Sequence, residues 1–141
     1  MHPRNAFTLV ETTIVVALTA LLTAITLPRA SAFIDSIEVR GAVAEIEALF
    51  SLARHAAIAR GSRVTLEIDP ARSMVWVRAG TETLRSRDVG AAHGVIFTAN
   101  RTAITYSPIG VGYGAANASL IVSRGRVVDT VVVSRLGRVR H

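Results

Sequence analysis

The sequence lacks cysteine and lysine and is poor in aromatic residues, with one tryptophan, two tyrosines and four phenylalanines among 141 residues. Without cysteine there is no disulfide framework, no thiolate metal site and no cysteine nucleophile. The four histidines are far apart, with no H-E-x-x-H motif and no carboxylate pair at ligand spacing, and no G-x-S-x-G motif occurs. The sequence therefore predicts a protein that is not an enzyme and that binds no metal or cofactor.

Half of the residues are hydrophobic, which is high for so short a soluble chain. One segment accounts for much of this excess, since residues 7–27 read FTLVETTIVVALTALLTAITL with Glu11 as the only formal charge. A helix of this length spans roughly 30 Å, the thickness of a bilayer core. The preceding MHPRNA carries one arginine, which favours a cytoplasmic N-terminus. The segment is thus predicted to cross a membrane.

This segment has three possible roles. Ala30-Ser31-Ala32 satisfies the small-x-small rule for a signal peptide cleaved before Phe33, which would release a secreted binding domain. A plain membrane anchor is the second role. The third depends on Glu11, because a carboxylate in a spanning helix is costly and usually marks a function. A signal peptide has no use for that acid, so the third role is favoured.

The residues around Glu11 carry a family resemblance. Asn5-Ala6 followed by FTLVE and an apolar run resembles the leader of type IV pilins and type II secretion pseudopilins. The resemblance implies that prepilin peptidase cleaves between Ala6 and Phe7 and that the new N-terminus at Phe7 is methylated. Ala6 stands where the family usually has glycine, so slower processing is expected.

Cleavage before Phe7 would give Glu11 a partner. It creates an ammonium one helical turn from the carboxylate, and two charges that are each costly in hydrocarbon can neutralise each other. In a filament the same carboxylate can pair with the amine of a neighbouring subunit, so Glu11 is predicted to set assembly register. Six threonines in the segment are predicted to bond carbonyls one turn earlier: Thr8, Thr12, Thr13, Thr19, Thr23 and Thr26.

The segment from Ser31 to Arg60 is predicted to be an amphipathic helix ending at Gly61. Its apolar residues recur at steps of four and three: Val39, Val43, Ile46, Phe50, Ala53 and Ala57. From Arg63 onward the period changes to two, which predicts strands. They are 64–68, 74–77, 94–98, 102–107, 118–123 and 127–134. Met74 and Trp76 are expected in the core, and Gly110 to Gly114 in a flexible loop.

The predicted fold class is α+β, with a long N-terminal helix packed on an antiparallel sheet. Four regions follow from this: a leader at 1–6, a transmembrane half of the helix at 7–28, its amphipathic half at 29–61, and a β-rich periplasmic domain at 62–141.

Most of the chain resembles the protein H and FimT family of minor pseudopilins, through LARHAAIARGSRVTLEI, YSPIGVG and the final VVVSRLGRVRH. The resemblance implies a structural subunit of the type II secretion pseudopilus, held in the bacterial inner membrane with its C-terminal domain in the periplasm. Its implied partners are other pseudopilins, prepilin peptidase and the inner-membrane assembly platform. The alternative is a FimT-like minor pilin of a type IV pilus that binds DNA for natural transformation.

Arginines near the C-terminus are the candidate contacts for DNA or for a partner. They are Arg124, Arg126, Arg138 and Arg140. Guanidinium groups bind phosphate bidentately, and the resemblance places Arg138 and Arg140 in the GR-x-R tail that is associated with DNA binding in the FimT branch. Alternatively, Val131 to Val133 form the last core strand and the arginines are its solvated end. The second interpretation is favoured, because charge runs are usually solvated faces and no aromatic residues lie between them to stack on bases.

Overall fold

The computed structural model describes residues 8–114, 117–134 and 138–140. The chain forms two compact units, residues 1–34 and 35–141. Helix α1 extends over Leu9–Arg60, so the prediction of one continuous helix through Pro28 is confirmed. The helix ends at Gly61, which adopts a positive φ of 57° and donates its N–H to the Ile58 carbonyl.

The remaining elements form two antiparallel sheets. They are β1 Val64–Asp69, β2 Met74–Ala79, β3 Glu82–Asp88, α2 Val89–His93, β4 Ile96–Ala99, β5 Ala103–Tyr106, β6 Gly112–Tyr113, β7 Ala118–Arg124, β8 Val127–Val133 and β9 Val139–Arg140. One sheet has the order β3-β2-β1-β5-β6 and the other β4-β7-β8-β9. The predicted α+β class is confirmed.

The core lies between the second half of α1 and the inner faces of the strands. All six residues of the predicted helix stripe, from Val39 to Ala57, are at most 2% exposed. Alternate residues of the strands are buried with them, among them Leu66 on β1, Val77 on β2 and Leu120 on β7. Burial of these side chains from both layers is the main favourable contribution to folding.

The segment between Arg78 and Gly94 was not predicted to have regular structure, yet it contains β3 and α2. Four of the seven residues of β3 are charged, and its exposed side chains show no hydrophobic alternation. It is an edge strand that pairs with β2 alone among the described strands. Helix α2 is capped by the Asp88 side chain, which accepts the Ala91 N–H at 2.7 Å, and by Gly94 at φ 62°.

Two local predictions were wrong. Val75 and Val77 face the core, so Met74 and Trp76 lie on the opposite face of β2 and are half-buried. The run of four apolar residues concealed this alternation. Within the predicted loop, Gly112 and Tyr113 form β6 by pairing with Tyr106 and Thr105.

Candidate functional site

Glu11 lies in the first turn of α1 and is exposed. Its N–H donates to the Thr8 hydroxyl at 3.2 Å, so Thr8 caps the first turn of the helix. The carbonyls one turn before Thr8 lie outside the described residues. Ala6 and Phe7, the predicted cleavage and methylation sites, lie outside the described residues. The structure therefore gives the setting of the carboxylate but not of its predicted ammonium partner.

The apolar half of α1 is long enough and hydrophobic enough to cross a membrane. Its aliphatic side chains are exposed from Leu9 to Leu27, each by more than half. The threonines within it satisfy their own hydroxyls, since Thr12, Thr13, Thr19, Thr23 and Thr26 each donate to a carbonyl three or four residues earlier. The hydroxyls of these five threonines are therefore hydrogen-bonded within the helix, so none of the five would enter hydrocarbon unbonded.

The structure does not bring the four candidate arginines together. Arg124 and Arg126 flank the turn between β7 and β8, whereas Arg138 and Arg140 follow the other end of β8. The six residue steps of β8 separate the two pairs by roughly 20 Å along the strand. The quartet is therefore two sites, not one patch.

Arg124 is occupied within the fold. Its Nε lies 2.9 Å from Oδ1 of Asp35 on α1, and its guanidinium also donates to the carbonyl of His93 at the end of α2. Two glycines leave room for the guanidinium and for the Asp35 carboxylate. A Cβ at Gly94 would lie 2.8 Å from the guanidinium, and one at Gly125 would lie 2.6 Å from the carboxylate. Arg124 thus connects β7, α1 and α2, a role that its charge alone did not reveal.

His93 makes a second connection to α1. Its Nδ1 lies 2.9 Å from Glu38 and its Nε2 lies 3.2 Å from Glu45, while Arg87 of β3 also bonds Glu45. A Cβ at Gly41 would lie 3.0 Å from the imidazole Cε1, so this glycine lets the ring approach the helix. Glu38 and Glu45 are two turns apart on α1, a spacing from which a shared partner could have been predicted. No group suited to a metal ion occurs among the described residues.

The segment around Gly110 also packs closely on α1. Gly110 has a φ of 77°, and a Cβ there would lie 2.7 Å from Ile58 and 3.2 Å from Nε of Arg54. Nearby, burial raises the pKa of Tyr106, and its hydroxyl has no hydrogen-bond partner in the described part of the chain. Arg63 stacks over the exposed ring of Tyr113 at 3.9 Å. These contacts join the end of α1 to the five-stranded sheet.

The C-terminal arginines border a shallow hollow of about 290 Å³, lined by Val132, Ser134, Arg138 and Arg140. Two hydrogen bonds join Ser134 and Arg138: the Ser134 N–H donates to the Arg138 carbonyl at 2.8 Å, and the Arg138 N–H donates to the Ser134 hydroxyl at 3.3 Å. Val132 then pairs with Arg140. Both arginines are exposed and make no ion pair within the described residues.

The model of one protein family, described as Type II transport protein GspH, matches residues 42–137. The chain belongs to the GspH family. The match covers α1 from residue 42 to its end and nearly all of the strands that follow. This GspH-family chain is a minor pilin or pseudopilin of the type IV pilin-like class.

Solved structures support the same fold. A crystal structure of the type IV minor pilin FimU from Pseudomonas aeruginosa superposes with a TM-score of 0.64 at 16% identity, over 77% of this GspH-family chain and 90% of that chain. A second crystal form of FimU gives a TM-score of 0.59 at 13% identity, over 72% and 90% of the two chains. At these identities the similarity shows a pilin-like fold. No curated protein gives a significant match.

Proposed function

We propose that this chain is a minor pseudopilin of a type II secretion system, a structural subunit of the pseudopilus required for protein export across the outer membrane. The proposal rests on the difference between the two halves of α1 in a member of the GspH family. Its first half exposes an apolar surface with one carboxylate, and one face of its second half is buried in the core of the β-rich unit. In this proposal the chain has no catalytic role.

The proposed mechanism begins with insertion into the bacterial inner membrane, with the β-rich unit in the periplasm. Prepilin peptidase removes residues 1–6, and the new Phe7 ammonium neutralises Glu11 or pairs with the carboxylate of a neighbouring subunit. An unpaired carboxylate in hydrocarbon is unfavourable, so only a correctly staggered neighbour is accepted. Other pseudopilins and the inner-membrane assembly platform are the proposed partners.

Processing gives the first prediction. Protein extracted from its native membrane is expected to begin at a methylated Phe7 when its intact mass and N-terminal sequence are measured. An Ala6→Gly variant is expected to be processed more completely, because glycine is the residue the peptidase usually meets before the cut. A mature chain beginning at Phe33 would mean that the apolar segment was a signal peptide, and the proposal would then be wrong.

A type IV pilus minor pilin that binds DNA is the second candidate function. The exposed Arg138 and Arg140 favour it, as does the similarity in fold to a type IV minor pilin. Two observations weigh against a four-arginine DNA site. Arg124 is held by Asp35, and the two arginine pairs are separated by the length of β8.

DNA binding separates the two functions and gives the second prediction. For the detergent-solubilised full chain, we expect that Arg138→Ala/Arg140→Ala leaves the affinity for a fluorescent DNA duplex unchanged, as does the control pair Arg72→Ala/Arg85→Ala. If the chain is instead a DNA-binding pilin, the first pair alone weakens binding. It then also lowers the salt slope by about 2, because two phosphate contacts are lost.

A further inference from the structure

The outer face of the four-stranded sheet carries an exposed group of aliphatic side chains. Ile96 on β4, Ile121 on β7, and Val128 and Val132 on β8 are exposed by 71, 44, 60 and 47%. We call this surface the aliphatic face. The neighbouring positions on the same face are hydroxyl residues, namely Thr98, Ser119, Ser123 and Thr130. Single exposed aliphatic residues are ordinary, but four on one face of a sheet, separated only by short hydroxyl side chains, mark an interaction surface.

Charge on the aliphatic face has one sign. Residues opposite each other in an antiparallel pair project to the same side of the sheet, so Arg140 shares this face with its partner Val132. Arg138 borders the same hollow. Asp129, the acid of β8, lies between exposed residues along the strand and pairs with the buried Val122. Its side chain therefore belongs to the inner face of the sheet. The described strands of this sheet therefore place arginine, and no carboxylate, beside the aliphatic side chains.

An anionic phospholipid bilayer matches this combination. Guanidinium groups bind phosphate oxygens in a bidentate manner, and aliphatic side chains gain free energy when they enter the boundary between headgroups and acyl chains. Duplex DNA matches it less well, because phosphate contacts make no use of four aliphatic side chains and the described strand residues of this face include no aromatic residue to stack on a base.

We infer that the aliphatic face, together with Arg138 and Arg140, docks on an anionic membrane surface. The inference rests on the proposed function, in which α1 tethers the β-rich unit to the bilayer. At the high effective concentration that a tether provides, a weak contact is sufficient. Docking would hold the subunit on the lipid surface before it enters a filament.

The lack of cysteine allows a direct test in the full chain. A Thr130→Cys variant carries an environment-sensitive fluorophore at the centre of the aliphatic face, and a Ser86→Cys variant carries it on the exposed edge strand β3 as a control. Both are reconstituted in vesicles of phosphatidylcholine, with or without phosphatidylglycerol, that contain a lipid-borne quencher. Retention after an alkaline wash establishes that the chain is inserted.

We expect quenching of the Thr130→Cys label to be about twofold stronger in vesicles with phosphatidylglycerol, and to weaken with added salt. Arg138→Gln/Arg140→Gln should abolish the difference. The matched pair Arg72→Gln/Arg85→Gln, which removes the same charge from the β1–β2 turn and from β3, should preserve it. Quenching of the Ser86→Cys label should be the same in both kinds of vesicle.

Other outcomes overturn the inference. Equal quenching in both lipids, or no effect of the first arginine pair, would exclude docking on anionic lipid. Shielding of the Thr130→Cys label from water that depends on the ratio of protein to lipid would identify a second copy of the chain as the occupant. Equivalent shielding of this label on addition of duplex DNA would identify nucleic acid as the occupant. A chain that washes out of the vesicles would contradict the proposed function itself. An inserted chain whose label stays in water would contradict only the docking inference.

Discussion

Replacing Gly90 with alanine is expected to lower the free energy of unfolding by about 2 kcal/mol or more. An added Cβ would lie 2.6 Å from the Cβ of Ser73 and 3.2 Å from the Val95 carbonyl oxygen. Ser73 is only 4% exposed, and the Gly90 N–H donates to its carbonyl at 3.0 Å. The two residues cannot separate without losing this bond. Urea unfolding monitored through Trp76 would measure the loss.

The double variant Ser73→Gly/Gly90→Ala provides the control. Ser73 has a positive φ of 51°, a conformation in which glycine is unstrained, so removing its Cβ eliminates the collision at little conformational cost. We expect the double variant to recover most of the stability and Ser73→Gly alone to be nearly neutral. Equal stability of Gly90→Ala and the native chain would show that α2 adjusts freely. A destabilised Gly90→Ala without recovery in the double variant would show that the collision with Ser73 is not the cause.

The second large effect is expected at Arg124, where substitution by alanine should cost about 1–3 kcal/mol of stability. The variant loses the bond to Asp35 and the bond to the His93 carbonyl, and it leaves a half-buried carboxylate without its partner. Equilibrium unfolding in urea would quantify the change. Because this effect is on folding, reduced DNA binding by the variant would not by itself identify a DNA contact.

Arg126→Ala is the matched control, since it removes the same charge two residues away from an exposed position in the same turn. It should leave stability within about 0.5 kcal/mol of the native chain. In a double-mutant cycle, Asp35→Ala and Arg124→Ala should be less than additive. Equal effects of Arg124→Ala and Arg126→Ala would show that the contact with Asp35 contributes nothing.

Features with strong local patterns could be predicted from the sequence. The helix stripe from Val39 to Phe50 and the alternation of Val64, Leu66 and Ile68 each fix a face, because burial acts at every repeat of the pattern. Strand β3 has no such pattern. It is stabilised as an edge by main-chain pairing to β2, which side-chain polarity does not report. Met74 and Trp76 were misplaced because four consecutive apolar residues do not reveal which two face inward.

Among the functional residues, too, some could be predicted from the sequence and others could not. Glu11 was found because an acid in an apolar helix is locally conspicuous, and its assembly role stays a prediction. Arg124 was grouped with the other C-terminal arginines because the sequence shows its charge and not its partner, which lies 89 residues earlier. The connection of His93 to two glutamates was also missed, because the spacing of Glu38 and Glu45 on α1 indicates a shared partner but does not show that the partner is His93. Long-range contacts between polar side chains depend on the tertiary fold.

The charged edge of β3 also bears on solubility. A strand with one unpaired side offers its main chain to any extended segment, including the same strand of another molecule, and β-rich proteins aggregate by this route. Glu82, Arg85, Arg87 and Asp88 place charge along most of this edge. A second copy that paired here would have to desolvate those groups or bring like charges together. The charges on β3 thus disfavour edge-to-edge aggregation of this chain.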